Sequence, residues 1–256
     1  MSHILTDEEK LLRARLTELA ERSLDGRFTF TDFLGLAEQS VLAEVRRDTN
    51  AKCTLFGGID GAERVIARFG DEEELYYSED FPIVILKIAP RSQKYANALT
   101  HRDFLGAILN LGIERRTVGD IAIVDNVGYT FVKDEVADYI YSSLTRVKLT
   151  DVTCSVLAPD LLPEGKLYKT EWRRVQLSGE RLDAIVAKVF SLSRDDAQAL
   201  FRRSLVYVNG RLCESTSHTP KESDVISVRG HGRFIYRGVS STSKKGKLNA
   251  DVELYV

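Results

Sequence analysis

Arginine side chains recur near the carboxyl end of this sequence at a spacing that would place them side by side. Arg194, Gln198 and Arg202 repeat every four residues, so a helix over this segment carries them on one stripe. A guanidinium group presents a planar fork of donors that matches phosphate oxygens. The pattern therefore indicates a surface for an anionic chain. The alternative is a solvated helix face on which Asp195 or Asp196 neutralises the arginines.

The flanking residues predict the helices that would hold this stripe. Apolar residues at helical spacing predict a first helix over 181–190, with Arg181 and Lys188 on its open face. Ser193 is of the residue type that caps helices, and it is placed to begin a second helix that ends in Arg203. Cations at the carboxyl end of that helix also suit its dipole.

A small sheet is predicted to follow the helices. The Asn209-Gly210 pair predicts a hairpin after a valine-rich strand, and residues 224–234 predict the returning strand. Glycines beside Arg229 and Arg233 would let a ligand approach the backbone closely. The predicted RNA-binding residues are Arg181, Lys188, Ser193, Arg194, Gln198, Arg202, Arg203, Asn209, Gly210, Arg229, Gly230 and Arg233.

The charge distribution supports contact between this end of the chain and a polyanion. Residues 166–256 contain 17 Lys/Arg and 10 Asp/Glu, which leaves 19 basic and 28 acidic residues in 1–165 and accounts for the net charge of −2. A basic module behind an acidic one favours a nucleic-acid contact at the basic end. The alternative is that charged residues are distributed unevenly over the surface without a binding role.

Several protein classes are not favoured by the composition. The apolar runs are far shorter than the roughly 20 residues of a membrane span, and the charged N-terminus has no apolar signal core. Three widely separated cysteines suit a reducing cytoplasm, and they form no metal-binding motif. We therefore expect a cytoplasmic protein without a membrane partner, a cofactor or a metal ion.

The order of predicted elements indicates an α+β protein of several domains. Residues 1–75 are expected to form a helical N-terminal domain, including a short helical run that ends at Gly70. Residues 76–160 follow the order βαββαβ, with 146–157 as the last strand, and this order is typical of ferredoxin-like domains. After a Pro/Gly linker at 158–166, a small α/β domain is expected over 171–240, with a C-terminal strand or tail over 241–256.

Two resemblances extend these predictions. The C-terminal module resembles the RNA-binding domain named after the fourth small-subunit ribosomal protein (ribosomal-protein-S-four type), through Arg-Leu-Asp at 181–183, Ser193-Arg194 with Ala197, Val206–Gly210, Asp224 and Arg229-Gly230. That family usually has glycine where the second helix turns into the strand. This chain has Arg203-Ser204-Leu205 instead, and a non-glycine residue with positive φ costs about 1 kcal/mol or more, so a differently shaped turn is expected.

Residues 55–69 and 99–121 are similar to the YlmH family. Members of that family join a helical front, a ferredoxin-like middle and this C-terminal RNA-binding domain, so the resemblance spans nearly the whole chain. It implies a monomeric, non-catalytic factor without a small-molecule substrate. Such a factor binds ribosomal RNA and tRNA on the large ribosomal subunit, in quality control of obstructed subunits that still hold peptidyl-tRNA. It also favours a secondary RNA contact at the ends of the helix predicted over 100–113, by His101, Arg102, Arg115 and Arg116.

Two other functions remain open at this point. An RNA-modifying enzyme similar to pseudouridine synthases would need a catalytic aspartate in a separate domain, and the one Arg-Leu-Asp triplet lies inside the binding module. A protein scaffold linked to cell division would use the acidic front of the chain.

Two further motifs are excluded by their spacing. The sequence HRDFLGAILN lacks the spacing of a kinase catalytic loop, and GGIDG is not a dinucleotide-binding fingerprint.

Overall fold

A computed structural model of the chain describes residues 7–163, 167, 170–243 and 246–255. It divides into two compact units, Met1–Leu167 and Tyr168–Val256. Residues 164–166 of the expected linker lie outside the described residues, and the predicted domain boundaries stay predictions. Within the described part of the chain, no helix is both long and apolar enough to cross a membrane.

The first unit begins with helices packed on a small antiparallel sheet. Its elements are, in order, α1 (Asp7–Ser23), β1 (Thr29–Phe30), α2 (Leu36–Thr49), β2 (Cys53–Phe56), β3 (Ile66–Phe69) and α3 (Glu72–Leu75). The strands lie in the order β1-β3-β2. Leu16 and Leu19 of α1, together with Val41 and Leu42 of α2, cover one side of β3.

The helical run expected before Gly70 is wrong, because Ile66–Phe69 forms the central strand β3. All four residues of this strand are buried. A strand that is covered on both faces shows no alternation of polar and apolar residues, so its sequence pattern does not separate it from a short buried helix.

The middle of the first unit has the predicted ferredoxin-like topology. Its elements are β4 (Ile83–Pro90), α4 (His101–Leu109), β5 (Val118–Val124), β6 (Val127–Lys133), α5 (Asp134–Ser143), β7 (Arg146–Val147) and β8 (Thr150–Leu157). The strands lie in the order β5-β6-β4-β8-β7, and all their pairings are antiparallel. Both helices contribute to one core, through Phe104, Ile108, Ala137 and Ile140. The α+β class and the βαββαβ order are therefore confirmed.

One predicted strand of this region is a hairpin. The segment expected to run unbroken over 146–157 reverses at Lys148 and Leu149, where Lys148 has a φ of +56°. The reversal places Lys148 at the tip of a short hairpin beside α4, where its amine lies 3.7 Å from the carboxylate of Asp103.

A second apolar cluster joins the front of the unit to the middle sheet. Phe33 and Ile66 pack with Ile85 of β4 and Phe131 of β6. The contact is close at Gly119 of β5, because an added Cβ there would lie 2.6 Å from the Phe33 ring. The helices α4 and α5 thus cover one face of the middle sheet, and the N-terminal elements cover part of the other.

The second unit consists of two helices packed on one face of an antiparallel sheet. Its elements are β9 (Thr170–Leu177), α6 (Leu182–Val189), α7 (Arg194–Arg202), β10 (Val206–Val208), β11 (Arg211–Leu212), β12 (Val225–Val228), β13 (Gly232–Thr242) and β14 (Leu248–Tyr255). The strand order is β11-β10-β12-β13-β14-β9. The core contains Leu182, Ile185, Leu200, Phe201 and Phe234.

One feature of this sheet differs from the sequence prediction. The strand expected over 224–234 is divided between β12 and β13, and residues 229–231 form the turn that joins them. The strand β13 continues to Thr242, and β14 lies between β13 and β9 as an interior strand of the same sheet.

Candidate nucleic-acid interface

A fully buried carboxylate organises the start of the helix pair. Arg181 donates from Nε and Nη2 to the two oxygens of Asp183, both at 3.1 Å. Gln198 of α7 donates to the same carboxylate at 3.2 Å. Burial opposes the ionisation of Asp183, but the hydrogen bonds from Arg181 and Gln198 outweigh it and hold the Asp183 pKa below its ordinary value. Arg181 therefore holds the Asp183 carboxylate in place, and only its remaining N–H groups are open to a ligand.

Three of the predicted cationic residues line one groove. Arg181, Lys188 and Arg194 lie around a cavity of about 280 Å³ between α6, the start of α7 and the end of β9. Lys188 is exposed, and the Arg194 side chain is 65% exposed, with its Nε 3.9 Å from Asp183. Gln176 and Ser178 complete the polar lining, and the sequence analysis did not identify them. The groove combines converging donors with access from solvent, which is what binding of a phosphate group requires.

The second helix presents its stripe as predicted. Ser193 caps α7 by accepting a hydrogen bond from the Asp196 amide at 3.1 Å, and Asp196 accepts in turn from the Ser193 hydroxyl at 2.6 Å. Arg202 is exposed at the far end of the helix. Within the described residues, neither Arg194 nor Arg202 forms an ion pair with Asp195 or Asp196. The pairing with Asp195 or Asp196 that the alternative requires is therefore not formed there, and the acidic neighbour of Arg194 is Asp183.

The turn after α7 keeps the left-handed conformation in spite of its serine. Ser204 has a φ of +55°, and its amide donates to the Phe201 carbonyl at 2.9 Å. Leu205 donates to Leu200 at 3.0 Å. The differently shaped turn expected from the sequence is thus wrong: the hydrogen bonds that close the helix hold Ser204 where a glycine would be unstrained. Arg203 remains exposed beside this turn.

The predicted Asn209-Gly210 turn forms, and its asparagine has a structural role. Asn209 and Gly210 have φ values of +49° and +75°, as the favoured two-residue hairpin requires. The Asn209 side chain donates to Asp224 at 2.8 Å and accepts from the Val225 amide at 2.9 Å. These bonds join β10 to the start of β12.

The structure separates two of the predicted arginines from the helix stripe. Phe234 and Tyr236 point into the core beneath α6 and α7, so Arg233, which precedes Phe234 on the same strand, lies on the opposite face of the sheet. Its guanidinium group is 3.9 Å from the ring centroid of Tyr255. Arg229 likewise lies over Tyr207, at 4.6 Å. Sequence spacing could not show this division, because it depends on the register of the strands.

Two of the four predicted secondary contacts have other partners in the first unit. Arg115 donates to the carbonyls of Val118 and Gly119, and burial together with the nearby Arg64 lowers its pKa to about 10. Arg116 donates to Glu114 at 2.5 Å and lies 3.5 Å from Asp32.

At the other end of that helix, His101 begins α4, and desolvation and Arg115 lower its pKa. His101 therefore adds little positive charge at neutral pH. Arg115 and Arg116 thus have local partners that explain their positions, and the RNA contact of all three residues stays a prediction.

Arg102 belongs to a second groove that the sequence analysis did not identify. A cavity of about 520 Å³ lies between α4 and the hairpin of β7 and β8. Arg102, Arg146 and Lys148 line it, with Asp103 and Asn110. The hairpin turn at Lys148 creates this cluster, because a continuous strand over 146–157 would carry Arg146 and Lys148 away from α4.

The chain is similar in sequence to known proteins over most of its length. Residues 77–158 match the family model described as "Putative RNA-binding domain in YlmH". The chain is 30% identical over 232 residues to the "Ribosome-associated protein quality control protein P2" of Bacillus subtilis (strain 168), covering 89% of this chain and 87% of that protein. A solved structure described as "Cell division protein ylmH from Streptococcus pneumoniae" aligns with a TM-score of 0.49 at 20% identity, over 62% of this chain and 96% of that one.

The fold and the grooves define an α+β protein with a ferredoxin-like middle region and a cationic helix pair in its C-terminal unit. The sequence identity to the Bacillus subtilis relative, and the share of both chains that it covers, also determine the family. The chain belongs to the YlmH family.

Proposed function

We propose that this protein is a cytoplasmic, non-catalytic RNA-binding factor that associates with the ribosome. The observation that carries the proposal is the groove lined by Arg181, Lys188 and Arg194, in which the two arginines lie 3.1 and 3.9 Å from the buried carboxylate of Asp183. Arginine and lysine on rigid elements position a protein on the sugar-phosphate chain without reading its sequence. The exposed Arg202 and Arg203 extend the cationic surface along α7.

The family supports the cellular setting of this function. One relative is named for ribosome-associated quality control, and a family model named for RNA binding matches the middle of this chain. In finer terms, we propose that the protein binds ribosomal RNA and tRNA on the large subunit, as a monomer, and acts on stalled peptidyl-tRNA. The groove around Arg102, Arg146 and Lys148 would then supply a second phosphate contact.

The experiment that tests the proposal joins sedimentation with a salt titration. The full chain is run with ribosomal subunits on a sucrose gradient, and its affinity for ribosomal RNA is measured at several salt concentrations. Arg194→Ala is expected to weaken binding and to reduce the slope of log K against log salt by about 0.7–0.9, the value of one phosphate contact. Arg15→Ala is the matched control, since Arg15 is a 56%-exposed arginine of α1 outside both grooves.

Two outcomes contradict the proposal. If the protein migrates apart from the large subunit even at low salt, the ribosomal setting is wrong. If Arg194→Ala and Arg15→Ala give the same affinity and the same slope as the unmodified chain, the α6–α7 groove is not the RNA interface.

A further inference from the structure

The face of the C-terminal sheet that lies opposite α6 and α7 has an unusual composition. Three of its arginines stand against aromatic rings: Arg229 on Tyr207 at 4.6 Å, Arg233 on Tyr255 at 3.9 Å, and Arg237 near Trp172 at 5.8 Å. We call this surface, made of those six residues, the arginine–aromatic face. It is distinct from the groove of the helix pair, because the body of the sheet separates the two.

Strand register explains why these residues share one face. Tyr207 pairs with Ser227, and Ser227 pairs with Arg233, so the three lie in one row across β10, β12 and β13. The next two strands beyond β13 are β14 and β9, and Trp172 of β9 pairs with Glu253 of β14. Glu253 lies two residues before Tyr255 on β14. Side chains two residues apart on a strand point the same way. The aromatic rings are thus distributed over the full width of the sheet.

Trp172 is the most open of the three rings. Its side chain belongs to the exposed large apolar residues, with 66% of its surface accessible. Its neighbours are held in place: Arg237 donates to Glu253 at 2.6 and 3.0 Å, and Arg174 donates to Asp251 at 2.7 and 3.0 Å. A large ring that stays exposed within a rigid polar frame is suited to stacking against a flat partner.

Charge indicates which flat partner fits this face. The ion pairs and ring contacts on this face and directly beside it comprise four arginines, 174, 229, 233 and 237, and two carboxylates, Asp251 and Glu253. A positive surface with interleaved aromatic rings matches an unpaired nucleic-acid strand, because the bases stack on the rings while the phosphates meet the guanidinium groups. An apolar protein surface would instead leave those cations desolvated.

We propose that the arginine–aromatic face binds an unpaired RNA segment by stacking of its bases, with Trp172 as the principal platform. The inference rests on the proposed RNA-binding function and adds a second, base-contacting surface to it. No bond is made or broken in this contact, and tolerance of base identity is expected because every base offers a π-face.

Trp172 is the single tryptophan of the chain, so its fluorescence reports on this face directly. The full-length protein is titrated with a short oligoadenylate, and binding is followed in parallel by the anisotropy of a dye on the oligonucleotide. We expect tryptophan quenching that saturates together with the anisotropy. A sugar-phosphate oligomer of equal length without bases, and a double-stranded RNA, are expected to bind without this quenching.

Variants separate this face from the helix groove. Trp172→Ala is expected to weaken binding of the oligoadenylate about 5- to 100-fold, which corresponds to the loss of one stacked base, and Trp172→Phe to restore most of it. Tyr141→Ala is the matched control, since Tyr141 is a 51%-exposed ring of the middle region. Arg194→Ala is expected to weaken the affinity while leaving the quenching at saturation unchanged.

The outcomes are distinguishable. Anisotropy that rises without tryptophan quenching, or an affinity that Trp172→Ala leaves unchanged, overturns the inference but not the proposed function. Absence of any RNA binding overturns both. Quenching by the base-free oligomer that equals quenching by oligoadenylate also counts against stacking, because it would mean that the phosphates alone perturb the ring.

Discussion

The guanidinium group of Arg181 meets the fully buried carboxylate of Asp183 through two hydrogen bonds of 3.1 Å. Gln198 reaches the same carboxylate from α7, and the backbone amide of Asp183 donates to the Thr216 carbonyl at 3.1 Å. One buried residue therefore links α6, α7 and the segment after β11, through its carboxylate and its backbone amide. This linkage fixes one side of the groove, so the charges of the pair hold Arg181 in position as well as stabilising the fold.

Replacing this charge is expected to destabilise the second unit in a pH-dependent way. The Asp183 pKa is depressed in the folded state, so its contribution is present at neutral pH and is lost as the pH falls below the unfolded value of about 3.9 and through the folded pKa. Asp183→Asn is expected to lower the free energy of unfolding at pH 7 by about 1–3 kcal/mol. Its stability should also fall less steeply in acid than that of the unmodified chain.

Denaturant unfolding at neutral and acid pH measures both effects. Asp195→Asn is the control, because Asp195 is an exposed aspartate in the first turn of α7. Equal acid dependence in Asp183→Asn and the unmodified protein would show that Asp183 does not titrate with folding.

Relief of the positive φ at Ser204 is expected to stabilise the protein. A serine at +55° carries a steric cost that glycine does not, so Ser204→Gly should raise the free energy of unfolding by up to about 1 kcal/mol. Ser204→Ala keeps the cost and is expected to give no gain. If both variants shift the denaturation midpoint equally, the conformation at this position is not the source of strain.

The groove beside α4 is expected to contribute electrostatically to RNA affinity. Arg102→Ala and Lys148→Ala should each reduce the salt slope by about 0.7 with a single-stranded RNA, if each side chain meets one phosphate. Arg91→Ala, at an exposed arginine outside the groove, is the control. Slopes that match the control for both variants would exclude this groove from the interface.

The packing of the N-terminal elements on the middle sheet can be tested with two glycines. An added methyl at Gly119 would lie 2.6 Å from the Phe33 ring, so Gly119→Ala is expected to cost about 1–3 kcal/mol. At Gly106, inside α4, an added methyl meets nothing within 4 Å, so Gly106→Ala is expected to stabilise by about 0.5–1 kcal/mol. Thermal or denaturant unfolding measures both, and an unaffected Gly119→Ala would contradict the close packing.

Much of the C-terminal site was predictable because its signals are local. The cap at Ser193, the four-residue repeat of Arg194, Gln198 and Arg202, and the Asn209-Gly210 turn each depend on neighbours within a few residues. The roles of Arg229 and Arg233 were not predictable in the same way. A turn at 229–231 and the strand register carry them to the far face of the sheet, and these features depend on long-range pairing.

The same distinction applies to the first unit. Residue pattern predicted the βαββαβ order of the middle region, because α4 and α5 carry apolar residues at helical spacing and the long strands are rich in Val and Ile. Periodicity failed at Ile66–Phe69, where both faces of the strand are buried. It also failed at the hairpin of Lys148, which creates the basic groove beside α4.

By itself the sequence determined the class of the protein, the order of its elements and the concentration of positive charge near the carboxyl end. The tertiary structure alone decided which cations act together. It brought Arg181, Lys188 and Arg194 into one groove, and it placed Arg229 and Arg233 on aromatic rings across the sheet. The physical reason is that residue type and spacing act over a few positions. The direction of a side chain also depends on strand register, and its ionic partners depend on which distant segments pack together.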